Sequence, residues 1–333
     1  MPEYRRDCTT AQWVVVAAER AKRPGARRTR AGESASPSVD PTCPFCRGNE
    51  HETPPELLRR PAGPDWVVRV FPNKYPALVP DLLDPTASND PLFTRMPARG
   101  HYEVIVEGAE HRHALVPDRA DVLAEVLIAA QERYRTFAED PDVGFVTLFK
   151  NHGVGSGASL RHPHWQLVAG PIVPDPLRRM IEVASDYLHQ HGASVYQHYL
   201  ERELALGERI VGERDGFVVL APYAPQWAGE TWIIPREAHV SLALLPVERV
   251  APFAAVLRDT LERLSRIFSD LAVNVLIVSA PLRGFDTHGF RWHVRIQPRL
   301  TTLGGFELAT DTAIVTTAPE QTAEMLRSVV SEG

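Results

Sequence analysis

The 333-residue chain is poor in cysteine: Cys8, Cys43 and Cys46 are its only thiols, too few for a disulfide framework. It has no apolar run near the roughly 20 residues of a membrane span. The charged start, Met1 to Arg6, leads into no signal-type apolar core, so a cytoplasmic protein without membrane contact is expected. Positive charge is not in excess either. With 36 Lys and Arg against 42 Asp and Glu the net charge is −6, which argues against a general nucleic-acid or membrane-surface binder and leaves small ligands. Apolar residues are not scarce: 44% hydrophobic and 23% charged is enough for one large or two medium cores.

The stretch with most chemistry is Ser159-Leu160-Arg161-His162-Pro163-His164-Trp165-Gln166-Leu167-Val168. Read as a strand, it puts His162, His164 and Gln166 on one face and Pro163, Trp165 and Leu167 on the other. Three coordinating side chains on one face are costly to bury without partners and suit a phosphate or a metal. The preceding Asn151-His152-Gly153-Val154-Gly155-Ser156-Gly157-Ala158 is glycine-rich. Such a loop lets backbone N–H groups approach an anion closely.

Two other segments are candidates for binding. Gln12 to Ala18 reads as a buried strand running into a basic turn, where Arg20 and Arg23 either hold phosphate oxygens or form a solvated face. Asn73, in a turn after strand Trp66 to Phe71, either meets a base or ribose or serves the backbone. Residues 25–41 have little to bury and read as a mobile loop. In Cys43-Pro44-Phe45-Cys46 two thiolates can share a tetrahedral ion, with two histidines from elsewhere completing a zinc site. A redox pair is the other use, but no thioredoxin-like unit starts here.

The order strand, strand, helix, strand, His-rich strand occurs twice. Asp65 to Pro72, the strand ending at His111, the helix after Pro117 and strand Gly144 to Lys150 are echoed by Asp215 to Tyr223, Thr231 to His239, the helix from Val247 to about Phe268 and Val273 to Ser279. In that frame His162-x-His164-x-Gln166 becomes His293-x-Arg295-x-Gln297. Arginine stays protonated and cannot be the nitrogen nucleophile, so only the first half carries chemistry. His239 and His293 lack a cysteine or carboxylate to complete a second metal site. The expected fold is α/β (α+β), a tandem duplication with antiparallel sheets flanked by helices, its halves spanning residues 1–171 and 172–333.

These residues together resemble the galactose-1-phosphate uridylyltransferases, the transferase branch of the histidine-triad superfamily. The likeness runs from Trp13–Pro24 through Cys43/Cys46, Phe71-Pro72-Asn73, Asn151–Ser159 and His162-Pro163-His164-x-Gln166 to Gly305-Phe306-Glu307. The resemblance implies His164 as nucleophile on the α-phosphorus of a nucleotide sugar, giving a nucleotidyl-histidine that a sugar-1-phosphate then discharges. Gln166 and Ser159 would bind phosphoryl oxygens, and Arg20, Arg23, Asn73 and Asn151 would lie near the nucleotide. Cys43, Cys46, His111 and His162, with His113 as a substitute for His111, would hold a structural zinc. Phe306 and Glu307 fall in the sugar-contacting segment, and a homodimer is implied. Phe306 stands where tyrosine is usual, and Thr301 and Ala313 where lysine and glutamine are usual. These departures leave two rivals open: a phosphorylase using inorganic phosphate as acceptor, and a nucleotide-binding sensor without turnover.

Overall fold

The computed structural model describes residues 2–22, 40–81, 90–112, 114–117 and 119–329. Period-two apolar alternation builds its strands and 3.6-residue periodicity its helices. The chain opens with β1 (Glu3–Arg6) and β2 (Trp13–Val16), then β3 (Leu58–Arg60), β4 (Val68–Pro72) and β5 (His101–Glu107). Helix α1 (Ala120–Glu139) leads to β6 (Phe145–His152) and β7 (His164–Gly170). Helices α2 (Asp175–His191) and α3 (Val195–Leu206) cross to β8 (Ile210–Arg214), β9 (Phe217–Leu220) and β10 (Thr231–Pro235). The second round continues with α4 (Val247–Ile267), β11 (Val273–Val278) and β12 (His293–Pro298). The chain ends with α5 (Gly305–Thr310), β13 (Ile314–Val315) and α6 (Pro319–Ser328).

The order β4, β5, α1, β6, β7 returns as β9, β10, α4, β11, β12, so the duplication read from the sequence is present in space. The halves are not two separate sheets. Ten strands pair antiparallel in the order β3-β4-β5-β7-β6-β11-β12-β10-β9-β8, and the rounds meet where β6 pairs with β11, Asn151 opposite Asn274. A small sheet, β1-β2-β13, joins the two ends of the chain, with β13 parallel to β2.

One face of the large sheet buries Val146, Leu148, Trp165 and Leu167 from the first round and Val273, Val275, Val294 and Ile296 from the second, under α1 and α4. Each such side chain contributes about 1.5–3 kcal/mol when fully buried. The other face is covered differently in each half. Over the first round lies the segment carrying Cys43, Phe45, Cys46 and Trp66, packed on Phe71, Val104 and Val106. Over the second lie α2 and α3, with Leu200 on Val218, Leu220, Trp232 and Ile234.

Two boundaries differ from the sequence pattern. The helical stretch from Pro176 to Leu206 is two helices, broken at Gly192, which takes φ +68° to close the end of α2, while Ser194 Oγ accepts the Tyr196 N–H to start α3. Strand β7 begins at His164, not Ser159. Pro163 has no N–H to donate to a ladder, although its carbonyl still accepts the Glu107 N–H at 2.9 Å.

Candidate active site and metal centre

His162 turns its ring away from β7 into a box with Cys43, Cys46 and His111, all buried, whose donor atoms lie within 4.8 Å of one another. Cys46 Sγ is 3.5 Å from His111 Nδ1 and 3.7 Å from His162 Nδ1, and Cys43 Sγ is 3.8 Å from His162 Nδ1. Ligand edges around a tetrahedral ion with bonds of about 2.0–2.3 Å are about 3.3–3.8 Å. The donor set therefore fits one divalent ion of zinc's preference. His162 Nε2 lies 3.0 Å from the Gly108 carbonyl, which only accepts, so Nε2 carries the hydrogen and Nδ1 is left as the ligand atom. Burial pushes the Cys43 thiol up to about 11 and His162 down to about 4. His113 lies outside the described residues, so the box is completed by His111.

His164 opens β7 with 6% of its surface exposed. Its Nδ1 lies 2.9 Å from the His162 carbonyl and must donate to it, which leaves the lone pair on Nε2. Burial holds its pKa below the ordinary imidazole value, so the ring is neutral near pH 7. A neutral imidazole with its far nitrogen already hydrogen-bonded is set up to attack an electrophile through Nε2. The Phe45 ring packs edge-on at 5.2 Å.

Gln166 shares this face. Its Oε1 accepts the Tyr102 hydroxyl at 2.5 Å, so its NH2 group is turned outward as a donor. Desolvation raises the Tyr102 pKa, keeping the hydroxyl a donor. Tyr102→Phe is expected to release that amide and slow phosphoryl chemistry about tenfold with unchanged melting, read from single-turnover rates. Asn151, next along β6 after the Lys150–Trp165 pair, lies on the same face beside His164. On the opposite face, Glu107 accepts Lys150 Nζ at 2.8 and 2.9 Å and Trp165 Nε1 at 2.6 Å. This buried group ties β5, β6 and β7 together beneath His164. Tyr102, Glu107 and Lys150 belong to no motif; only their registers, visible once the strands pair, mark them, whereas Phe45 sits inside the Cys43/Cys46 motif.

The other expected binding residues divide. Ser159 is exposed in the loop before β7. Asn73 spends its Oδ1 on the Tyr75 N–H at 2.9 Å and its own N–H on the Tyr102 carbonyl at 2.7 Å, a backbone role beside Tyr102. Arg20 is exposed on a 3-10 turn following β2. Phe306 and Glu307 lie on α5, where Glu307 Oε2 accepts the Gly304 N–H at 2.9 Å. Among the described residues no hydrogen bond, ion pair or ring contact links Arg20, Phe306 or Glu307 to His164. Arg23 lies outside the described residues.

The registers also correct the frame of the repeat. Matching ladders end on Gly108 N–H to Val67 O and Arg236 N–H to Gly216 O, and Ile105 opposes Trp165 as Ile233 opposes Val294. His293 therefore takes the place of His164, and Arg295 that of Gln166. Its Nδ1 likewise donates to the carbonyl two residues back, Arg291, at 3.0 Å. Yet His293 is fully buried, walled by Tyr196, Trp232 and Phe290, and Arg295 is paired with Glu230 at 3.0 Å. The second half keeps the histidine and has lost access to it. His239 and His293 join no Cys/His/carboxylate cluster among the described residues.

Profiles of the galactose-1-phosphate uridyl transferase N-terminal and C-terminal domains match residues 1–174 and 180–331. The chain belongs to the galactose-1-phosphate uridyl transferase family. It is 32% identical to the galactose-1-phosphate uridylyltransferase of Haemophilus influenzae, over 98% of this chain and 94% of that one. It is 30% identical to an ADP-glucose phosphorylase of Arabidopsis thaliana, over 98% and 93%. A crystal structure of the Arabidopsis thaliana ADP-glucose phosphorylase with bound ADP-glucose superposes with TM-score 0.85 at 30% identity, covering 99% of both chains. A uridylyltransferase structure superposes with TM-score 0.76 at 25% identity over 98% of both. The reaction class of this family member is nucleotidyl transfer. No helix among the described residues is long and apolar enough to cross a membrane.

Proposed function

We propose that this transferase moves a nucleoside monophosphate, UMP in the leading reading, from a nucleotide sugar to a sugar-1-phosphate through His164. The observation that carries the proposal is the Nδ1 hydrogen bond of His164 to the His162 carbonyl, which leaves the lone pair of a neutral ring on Nε2. In the first step Nε2 forms a P–N bond to the α-phosphorus and the sugar-1-phosphate leaves with the bond electrons. In the second, an acceptor phosphate oxygen displaces the imidazole. The NH2 groups of Gln166 and Asn151, Ser159 and the glycine-loop N–H groups would stabilise the charge on the transferred phosphoryl oxygens. Arg20, Arg23 and Asn73 are assigned to nucleotide binding. Cys43, Cys46, His111 and His162 are assigned to a structural zinc, which when bound would fix His162 and with it the carbonyl that holds His164.

The functional halves are taken as residues 1–171, with the nucleophile, and 172–333, without an accessible one. Among the described residues nothing links Phe306 or Glu307 to His164 within one chain, and Phe306 is 44% exposed, which supports a homodimer in which each copy supplies its α5 to its partner. A cytoplasmic location fits the few thiols.

One observation favours a second acceptor. The likeness to an ADP-glucose phosphorylase is nearly full-length, and Thr301 and Ala313 stand where the family resemblance implies a lysine and a glutamine. With inorganic phosphate as acceptor the product is a nucleoside diphosphate. The two readings separate after loading the enzyme from UDP-glucose or ADP-glucose, removing free nucleotide, and adding galactose-1-phosphate, glucose-1-phosphate or phosphate. Release of a nucleotide sugar supports the transferase reading, and release of UDP or ADP by phosphate alone replaces it with the phosphorylase. Binding of either nucleotide sugar without any covalent adduct would leave a sensor.

A further inference from the structure

The large sheet carries a lateral polar row that crosses from one half of the duplication into the other. Gln297 on β12 opposes Asn274 on β11, Asn274 opposes Asn151 on β6, and Asn151 lies beside His164 on β7. The row begins in the half that has lost its own site and ends at the nucleophile.

The hydrogen bonds along it have a fixed direction. Arg299 Nε donates to Asn274 Oδ1, and a guanidinium nitrogen only donates. The Ser156 carbonyl, which only accepts, takes Asn274 Nδ2 at 3.0 Å. Asn274 therefore has one orientation, and it presents Nδ2 to Asn151 Oδ1 at 2.7 Å. That contact uses the acceptor end of Asn151 and leaves its NH2 as the end free to meet a ligand. Arg299 is held in turn by Trp227, 3.8 Å beneath its guanidinium. The glycine loop rests on the same wall: a Cβ on Gly153, which has φ +76°, would come within 2.9 Å of the Ala272 Cα.

We propose that Arg299 and Asn274 are positioning residues of the second half that set the polarity of Asn151, so that an amide donor and not an acceptor faces the phosphoryl oxygens at His164. This rests on the assignment of His164 as nucleophile. It also gives the closed second half a part in the reaction, as the wall that orients the first half's anion site.

Asn274→Asp keeps the shape and the Arg299 contact but offers only acceptors to Asn151 and to the Ser156 carbonyl, so Asn151 must turn its oxygen toward the phosphate. Asn274→Leu removes the constraint without reversing it. Polarity predicts that Asp is the more damaging of the two; a packing role predicts that Leu is. Expected results for Asn274→Asp are UMP or AMP binding weakened about 30-fold and a similar fall in the single-turnover rate of adduct formation from UDP-glucose or ADP-glucose, with melting close to that of the parent. Arg299→Gln, whose amide can flip, should lose about tenfold, and Arg299→Lys, still an obligate donor, should restore most of it. The inference is overturned if Asn274→Asp binds and reacts within twofold of the parent, if Leu is the worse substitution, or if Arg299→Lys is as damaged as Arg299→Gln. Adduct formation in His164→Ala would instead overturn the assignment of the nucleophile. Monophosphate binding needs no turnover and reads the polarity in either case.

Discussion

His164→Ala is expected to abolish the covalent nucleotidyl-enzyme, with no gain in mass after incubation with UDP-glucose or ADP-glucose, and to lower turnover by at least about 10,000-fold. The size of the effect follows from what else is within reach. Along the sheet face the neighbours of His164 are Asn151, Gln166 and Val106, none of them a nucleophile. The other histidine with the same Nδ1 anchoring, His293, is fully buried behind three aromatic rings. Without an imidazole, transfer would need donor and acceptor bound together in line. Binding should survive, because the amides of Asn151 and Gln166 and the glycine loop are untouched. Intact mass and calorimetric titration on the same sample separate the two effects. An adduct in the variant would mean that another side chain attacks.

Much of the site could be read from the sequence because it is local. His162, His164 and Gln166 lie within five residues of one another, and the thiols of Cys43 and Cys46 are separated by two. Strand alternation and metal chemistry act over such distances, and the duplicated order of strands and helices gave the fold. The sequence did not reveal what depends on pairing between remote strands. Tyr102 reaches Gln166 because β5 lies beside β7, and Asn274 reaches Asn151 because β11 lies beside β6; neither partner is marked by its own neighbours in the chain. The frame of the second half lies two residues from where the motif alone puts it, for the same reason. A glutamine two positions after an arginine looks like the counterpart of Gln166, whereas the ladders put Arg295 there and His293 at the position of His164. At that position the side chain opposite His293 is Val278, where His164 has Asn151 beside it. The loss of the second site is thus written in its neighbours and in the covering helix α3, not in the histidine.

Purified protein is expected to carry one equivalent of zinc per chain by elemental mass spectrometry, and Cys46→Ser to lose it along with a large part of the stability of the segment around residues 40–66. The part of that segment before β3 has Phe45 as its chief apolar anchor over the site, and the four-donor box ties that part to His111 and His162. Free energies of about 10 kcal/mol or more hold structural zinc in small domains at pH 7. Here most of the sheet forms without the ion, so the effect should appear as a separate early transition in melting and as faster proteolysis before Trp66. Activity should fall about 10- to 100-fold although Cys46 touches no reacting atom. With an ion bound to the box, His162 would be held at Nδ1 as Gly108 already holds it at Nε2, and the His162 carbonyl holds His164. Chelation followed by zinc should remove and restore the early transition and the activity together. If Cys43 and Cys46 act instead as a redox pair, the protein will purify without metal, a chelator will leave melting unchanged, and an oxidant will join the two thiols. The two imidazoles that complete the box, each with a nitrogen within 3.5–3.7 Å of Cys46 Sγ, are the reason to expect the first result.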